Sequence, residues 1–354
     1  MKNILVTGGG GYIGSHTCLS LLNKNYKVFV IDSFINSSPK SMDRILEINK
    51  TSDKSQNKYL RVFKGDITDK KFLNRVFLEL DNKQIKIDGV IHLAGLKAVS
   101  ESVNNPLIYW NTNLIGTLNI LEIVKKFKCK NFVFSSSATI YADPKDNSRL
   151  TESSEISPSN PYGNTKASIE RLLGDLFQSS KNEWKFASLR YFNPIGAHSS
   201  GLIGEDPLGI PNNIFPMIIK VASQEIDKLR IFGNDYQTID GSGVRDFIHV
   251  MDLADGHLKA LDYLCLGEPK IINLNIGTGK GTSVLELVKI FERINNVKIP
   301  YVFVKRRKGD SAEIVADNSL AKKLINFSAK RSLSEMCRDG WNWYLKNPYG
   351  YRKN

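Results

Sequence analysis

Cysteine, histidine and long apolar runs are all scarce in this chain. Its four cysteines (Cys18, Cys129, Cys265 and Cys337) form no Cys-x-x-Cys pair and share no ligand spacing with the five histidines. That pattern excludes a disulfide framework or a zinc site of ordinary spacing and implies a reducing, cytoplasmic location. The first apolar run stops at Gly8, too short for a membrane span and without a signal-peptide cleavage region, so neither a membrane nor a targeting role is expected. Acid is in deficit too, with 36 Asp and Glu against 49 Lys and Arg, a net charge of +13. The bases are dispersed, with short clusters only at Lys125-Lys126-Phe127-Lys128 and Lys305-Arg306-Arg307-Lys308. No nucleic-acid surface follows from that pattern, whereas a positive field favours small anionic substrates.

What is present is enough apolar residue, 41% of 354, for a substantial core, and a length that suggests two lobes. Apolar strands alternate with longer helical stretches through the first half, the pattern of a parallel sheet with crossover helices. Strands are expected at Ile4–Thr7, Val28–Ile31, Leu60–Phe63, Gly89–His92, Asn131–Ser135 and Phe186–Arg190. Helices are expected from Gly14, around Asp69–Leu80, over Pro106–Lys128 and over Pro161–Gln178, and the polar stretch Asn49–Lys58 reads as an exposed loop. After Tyr191 the alternation becomes irregular. The division is therefore a doubly wound α/β lobe over 1–190 and a smaller mixed α/β lobe over 191–354, with a segment near 241–277 returning to the first.

Directly after the first strand, Gly8-Gly9-Gly10-Gly11-Tyr12-Ile13-Gly14 satisfies Gly-x-Gly-x-x-Gly, with Asp32 closing the second strand 21 residues beyond Gly11. Glycine permits the tight turn and the close approach that let helix N-terminal amides hold a pyrophosphate. Asp32 would accept hydrogen bonds from a ribose and repel a 2′-phosphate, which favours NAD over NADP.

A second motif is Tyr-x-x-x-Lys, for which 13 Tyr and 35 Lys supply one or two chance matches, and the chain holds four. Tyr141/Lys145 flanks Pro144, Tyr301/Lys305 lies in a β-rich run, and Tyr349/Lys353 sits beside Gly350 near the end. Only Tyr162/Lys166 has helix punctuation, with Ser159 or Asn160 as N-cap and Pro161 at the first helical position. There the two side chains share a face with Cβ atoms about 5 to 6 Å apart. A nearby Lys and a helix N-terminus both favour phenolate, so Tyr162 is a candidate base.

These motifs, together with His92-Leu93-Ala94-Gly95-Leu96-Lys97, Phe134-Ser135-Ser136-Ser137-Ala138-Thr139, Arg190-Tyr191-Phe192-Asn193-Pro194 and Gly243-Val244-Arg245-Asp246-Phe247, resemble the extended short-chain dehydrogenase/reductases almost end to end. The likeness is closest to their nucleotide-sugar 4-epimerases. It implies a Rossmann NAD-binding lobe with a substrate lobe, and interconversion of UDP-galactose and UDP-glucose through a 4-keto sugar, as in galactose metabolism. By resemblance Tyr162 is the acid/base, Lys166 lowers its pKa and binds the nicotinamide ribose, and Ser137 relays the proton. The implied NAD contacts are Gly8, Gly11, Tyr12, Ile13, Gly14, Asp32, Ser33, Phe34, Ile35, Asn36, Ser37, Asp66, Ile67, Leu93, Ala94, Gly95, Leu96, Lys97, Asn113, Tyr162, Lys166 and Phe192. The implied UDP-sugar contacts are Ser137, Tyr162, Asn193, Asn213, Ile214, Arg230, Ile231, Phe232, Arg245, Arg307, Lys308, Gly309 and Asp310, with Ile314 at the hexose gate. A large gate residue excludes N-acetyl groups and a small one admits them, so isoleucine leaves UDP-N-acetylhexosamines open as substrates. A homodimer through the helices at Pro106–Lys128 and Pro161–Gln178 is also implied. Two rivals share these motifs: a 4,6-dehydratase, which would need an Asp-Glu pair where Ser137-Ala138 stands, and a non-catalytic NAD- or RNA-binding regulator, which would commonly lack the Tyr or Lys.

Overall fold

The computed structural model describes all residues except 53–58, 145–148, 181–182, 208–210, 212, 308–309 and 353–354, and the side chains of 51 and 52. Six strands rise in order: β1 (Asn3–Thr7), β2 (Lys27–Asp32), β3 (Leu60–Lys64), β4 (Gly89–His92), β5 (Asn131–Ser137) and β6 (Lys185–Tyr191). With the strand Lys270–Ile276 they form one seven-stranded parallel sheet, ordered Lys270–Ile276, β6, β5, β4, β1, β2, β3. Sheet residues are apolar on both sides because both are covered by helices.

One face packs Cys18, Leu19 and Leu22 of helix Tyr12–Asn23 with Ile45, Leu253 and Leu261, the last two from helix Val250–Cys265. The other packs Leu73, Phe77, Ile120, Val124, Ile169 and Leu173. The chain runs outward from β1 to β3, then returns to β4 and runs the opposite way. The carboxyl ends of β1 and β4, at Thr7 and His92, therefore flank the topological switch point, where such sheets bind their ligands. A third apolar cluster, built on Phe215, Ile231, Phe247, Val288, Phe291 and Met336, lies apart from both faces. Around it are short sheets, including Leu229–Phe232 beside Tyr301–Val304 and Val244–Arg245 beside Glu313–Ile314.

Two expected elements differ. The stretch expected as one helix from Pro106 is an α-turn at Pro106–Tyr109, a π-helix at Trp110–Ile115 and an α-helix at Gly116–Lys126. The wider π-turn coincides with Asn113, a buried side chain that binds the Leu96 N–H (2.8 Å) and carbonyl (3.1 Å) and the Thr165 hydroxyl (3.0 Å). The stretch expected as a loop from Asn49 begins inside helix Lys40–Ser52; the rest of it lies outside the described residues.

Candidate active site

The glycine loop is a backbone cradle. Gly8 has φ +70°, and a Cβ there would lie 2.7 Å from the Ala94 nitrogen; one at Gly14 would lie 2.1 Å from the Gly8 carbonyl oxygen. At Gly11, by contrast, a Cβ would meet only that oxygen, at 3.4 Å. Gly11 N-caps helix Tyr12–Asn23 with no side chain bonding the first turn, a helix start of the kind whose amides hold a pyrophosphate. Asp32 accepts from the Gly10 N–H (2.8 Å), the Phe34 N–H (2.8 Å) and the Ser37 hydroxyl (2.9 Å). Those bonds hold Phe34 at φ +56° and fold the segment Ser33, Phe34, Ile35, Asn36 and Ser37 around the end of β2, with the Ile35 side chain exposed. A carboxylate has about four acceptor positions, so Asp32 retains capacity for a ribose. Asp66 turns one oxygen to the Thr68 N–H and hydroxyl (both 2.8 Å), while Ile67 is buried against Gly116. The residues fit a dinucleotide.

Across the switch point, Asn160 is the N-cap of helix Pro161–Ser179, its side chain accepting from the Gly163 N–H at 2.9 Å. A Cβ at Gly163 would lie 2.7 Å from the Thr139 carbonyl oxygen, so this glycine lets the helix start press against the turn that follows β5. That contact brings Tyr162 to Ser137, the last residue of β5, whose hydroxyl accepts from the Thr139 N–H (3.2 Å) and hydroxyl (2.9 Å). Tyr162, Lys166 and Ser137 are all buried. The Lys166 ammonium donates to the Ser135 carbonyl at 2.7 Å and lies 4.9 Å from the Phe134 ring and 5.8 Å from the Tyr162 ring.

Here the electrostatics depart from expectation. Burial raises the Tyr162 phenol above its ordinary value and the Ser137 hydroxyl only partly offsets this. Burial also pulls Lys166 down to about 7, opposed by the Glu170 charge. Desolvation therefore outweighs the pull of the helix N-terminus and the nearby lysine on the phenol.

Glu170 was absent from the sequence reading. One turn beyond Lys166, it pairs with Arg190 at 2.6 Å, both of them buried. The guanidinium also donates to the Tyr141 hydroxyl and the Glu152 carbonyl (both 2.9 Å), and Tyr141 donates to Asn275 at 2.7 Å. Glu170 repeats the four-residue spacing from Lys166, but its partner is 20 residues away on β6, a link no local pattern marks.

Of the remaining predicted residues, Leu93, Ala94, Gly95 and Leu96 continue from β4, and Lys97 pairs with Glu205 at 3.1 Å. Phe192 packs with Ile140, Tyr141, Leu150 and Ala316, and Ala138 and Ile314 touch the same cluster. The Asn193 N–H bonds the Asp246 carbonyl (3.0 Å), Asn213 caps the helix beginning at Ile214, and Arg230 is exposed beside Phe232. Ile231 is a core residue of the third cluster. Arg307 donates to Asp310 at 2.9 Å and lies 4.7 Å from the Phe232 ring, while Arg245, opposite Ile314 in the strand register, stands 3.9 Å from Asp310. Lys308 and Gly309 lie outside the described residues.

A dinucleotide cradle opening onto a buried Ser-Tyr-Lys group defines an NAD-dependent enzyme of the sugar-nucleotide epimerase and dehydratase class. The model of the GDP-mannose 4,6 dehydratase family matches residues 5–340. UDP-glucose 4-epimerase 2 of Arabidopsis thaliana is 49% identical over 353 residues, spanning 100% of this chain and 98% of its own. The structure of UDP-glucose-4-epimerase from Stenotrophomonas maltophila, with bound NAD and formylated UDP-arabinopyranose, has a TM-score of 0.92 at 40% identity, covering 98% of this chain and 99% of its own. That of the Bifidobacterium longum enzyme with NAD+ and UDP has a TM-score of 0.90 at 43% identity, covering 99% and 100%. The chain belongs to the UDP-glucose 4-epimerases within the NAD-dependent epimerase/dehydratase family.

Proposed function

We propose that the protein interconverts UDP-galactose and UDP-glucose with resident NAD, and that residues 1–190 hold the cofactor while 191–354, with strand Lys270–Ile276 lent to the main sheet, hold the sugar nucleotide. The carrying observation is the grouping of Ser137, Tyr162 and Lys166 at the carboxyl end of β5, beside the crevice, with Ala138 where a dehydratase needs acid. When bound, NAD supplies the hydride acceptor and donor for C4 of the hexose. The chain does the rest. Ser137 passes the 4-hydroxyl proton to Tyr162 and returns it on the reverse step. Lys166, charged when a substrate anion and ribose hydroxyls are near, favours the phenolate and holds the nicotinamide ribose.

Arg245 and Arg307 bind the diphosphate in place of Asp310, fixing the uridine end while the hexose turns over between half-reactions. Ile314, packed with Phe192, shapes the hexose pocket, and its intermediate size leaves N-acetylated sugars open as substrates. Among the described residues no helix is long and apolar enough to cross a membrane. A cytoplasmic homodimer is the form we propose. The test is incubation of the purified protein with UDP-galactose and with UDP-N-acetylgalactosamine, followed by NMR. Formation of UDP-glucose, abolished in Tyr162→Phe, is expected; no conversion by the wild-type protein would refute the assignment.

A further inference from the structure

Residues 196–206 join no sheet and bond to the chain segments that follow β1, β2 and β4, the strands around the crevice. The Tyr12 hydroxyl, at the start of the helix that follows β1 and its glycine loop, donates to the Gly196 carbonyl at 2.6 Å. Arg44, on the helix that follows the Asp32 loop after β2, donates to the Leu202 carbonyl at 3.1 Å. Lys97, in the loop after β4, pairs with Glu205 at 3.1 Å. Each of these bonds spans more than a hundred residues of sequence.

The outer side of the same segment is fastened by the end of the chain. The Trp343 indole donates to the Glu205 carbonyl at 3.1 Å, the Asn347 amide to the Gly201 carbonyl at 2.8 Å, and the Tyr351 N–H to the Asp206 carboxylate at 2.9 Å. Gly204 lies so close to Trp343 that a Cβ would come within 2.3 Å of the indole. Arg44 closes the loop of contacts. Its guanidinium lies 5.5 Å from the Trp343 ring and 5.1 Å from the Tyr351 ring, so the end of the chain grips both the strap and the helix behind the adenosine loop.

We propose that segment 196–206 is a strap that retains NAD, and that Arg44, Trp343 and Tyr351 form its buckle. This rests on the proposed function, in which the cofactor must stay through both half-reactions because its release in mid-cycle would strand a 4-keto sugar. For the dinucleotide to leave, the segments after β1, β2 and β4 must separate, and the strap bonds to all three. The buckle residues lie outside the reacting group, so they govern the cofactor's residence and leave the chemistry unchanged.

The test uses the full-length protein and two variants, Arg44→Met, which keeps an apolar stem between the rings, and Tyr351→Ala. NAD release is followed by gel filtration with nucleotide quantification and by the dissociation rate into excess labelled NAD. Loss of this partly buried cation–π contact is expected to speed dissociation about tenfold in each variant. Turnover should fall after gel filtration and return to the wild-type level when NAD is added. Wild-type dissociation rates in both variants would overturn the proposal. So would folded variants, judged by unchanged circular dichroism, whose turnover stays low in saturating NAD, because the buckle would then act on the chemistry. A wild-type protein that neither holds NAD nor converts UDP-galactose would instead sink the functional reading, an outcome readable without either variant.

Discussion

Replacing Lys166 by Met should make the nucleotide-stripped protein more stable near neutrality while abolishing its activity. In the protein alone burial lowers the Lys166 pKa from 10.5 to about 7. Between those values the unfolded chain binds a proton that the folded chain does not, so wild-type stability rises with pH across that window, by about 1.4 kcal/mol per unit. The cost of housing the lysine is thus about 4 kcal/mol at pH 7 and about 2 kcal/mol at pH 9. Methionine fills a similar volume and escapes that cost, but it forfeits the 2.7 Å bond to the Ser135 carbonyl, about 1 to 3 kcal/mol at either pH. The balance favours Lys166→Met by roughly 1 to 3 kcal/mol at pH 7 and brings the two proteins close to parity at pH 9. Urea unfolding at both pH values measures this directly. A difference that does not change with pH, or a wild type more stable than the variant at pH 7, would refute the reasoning.

Glu170→Gln should cost about 3 to 5 kcal/mol, because it strands Arg190 in the core, and thermal unfolding measures that loss. It should also lower the alkaline limit of activity, since the Glu170 charge opposes the loss of the Lys166 proton. Arg245→Ala should raise KM for the UDP-sugar about tenfold or more with a smaller change in kcat, as expected for a group that holds the non-reacting end, and steady-state kinetics separates the two. Asp32→Ala should weaken NAD binding by at least tenfold and narrow its preference over NADP, read by titration calorimetry with both cofactors. Gly14→Ala should fail to bind NAD or fail to fold, since its Cβ would overlap the Gly8 carbonyl; a normally folded, NAD-binding Gly14→Ala would contradict the cradle geometry.

The sheet was legible because its signals are local. Each of the six expected strands is a short, mostly apolar run, and the five inside the sheet are buried on both faces and need no finer pattern, whereas edge strand β3, carrying Arg61, is half exposed. The same holds for the Asn160 cap, whose side chain meets an amide three residues on, and for the glycine loop, whose spacing is dictated by a single turn. Tyr162 could be separated from the other three Tyr-x-x-x-Lys pairs for this reason, although two of them, Tyr141/Lys145 and Tyr349/Lys353, have their lysines outside the described residues. The π-helix around Asn113 was not legible, because its extra residue per turn places an amide against Leu96 and Thr165, which belong to other elements.

What the sequence determined by itself is therefore the set of elements and the inventory of reactive groups, through sterics and hydrogen bonds acting over a few residues. What tertiary structure decided is the charge state and company of those groups. The Tyr162 phenol sits above its ordinary pKa and the Lys166 ammonium below it because packing removes water from both, and desolvation depends on everything that surrounds a site. Likewise Glu170 meets Arg190, and Arg44 meets Trp343 and Tyr351, only once the sheet and the chain's end have been assembled, because each pairing joins elements far apart in the sequence.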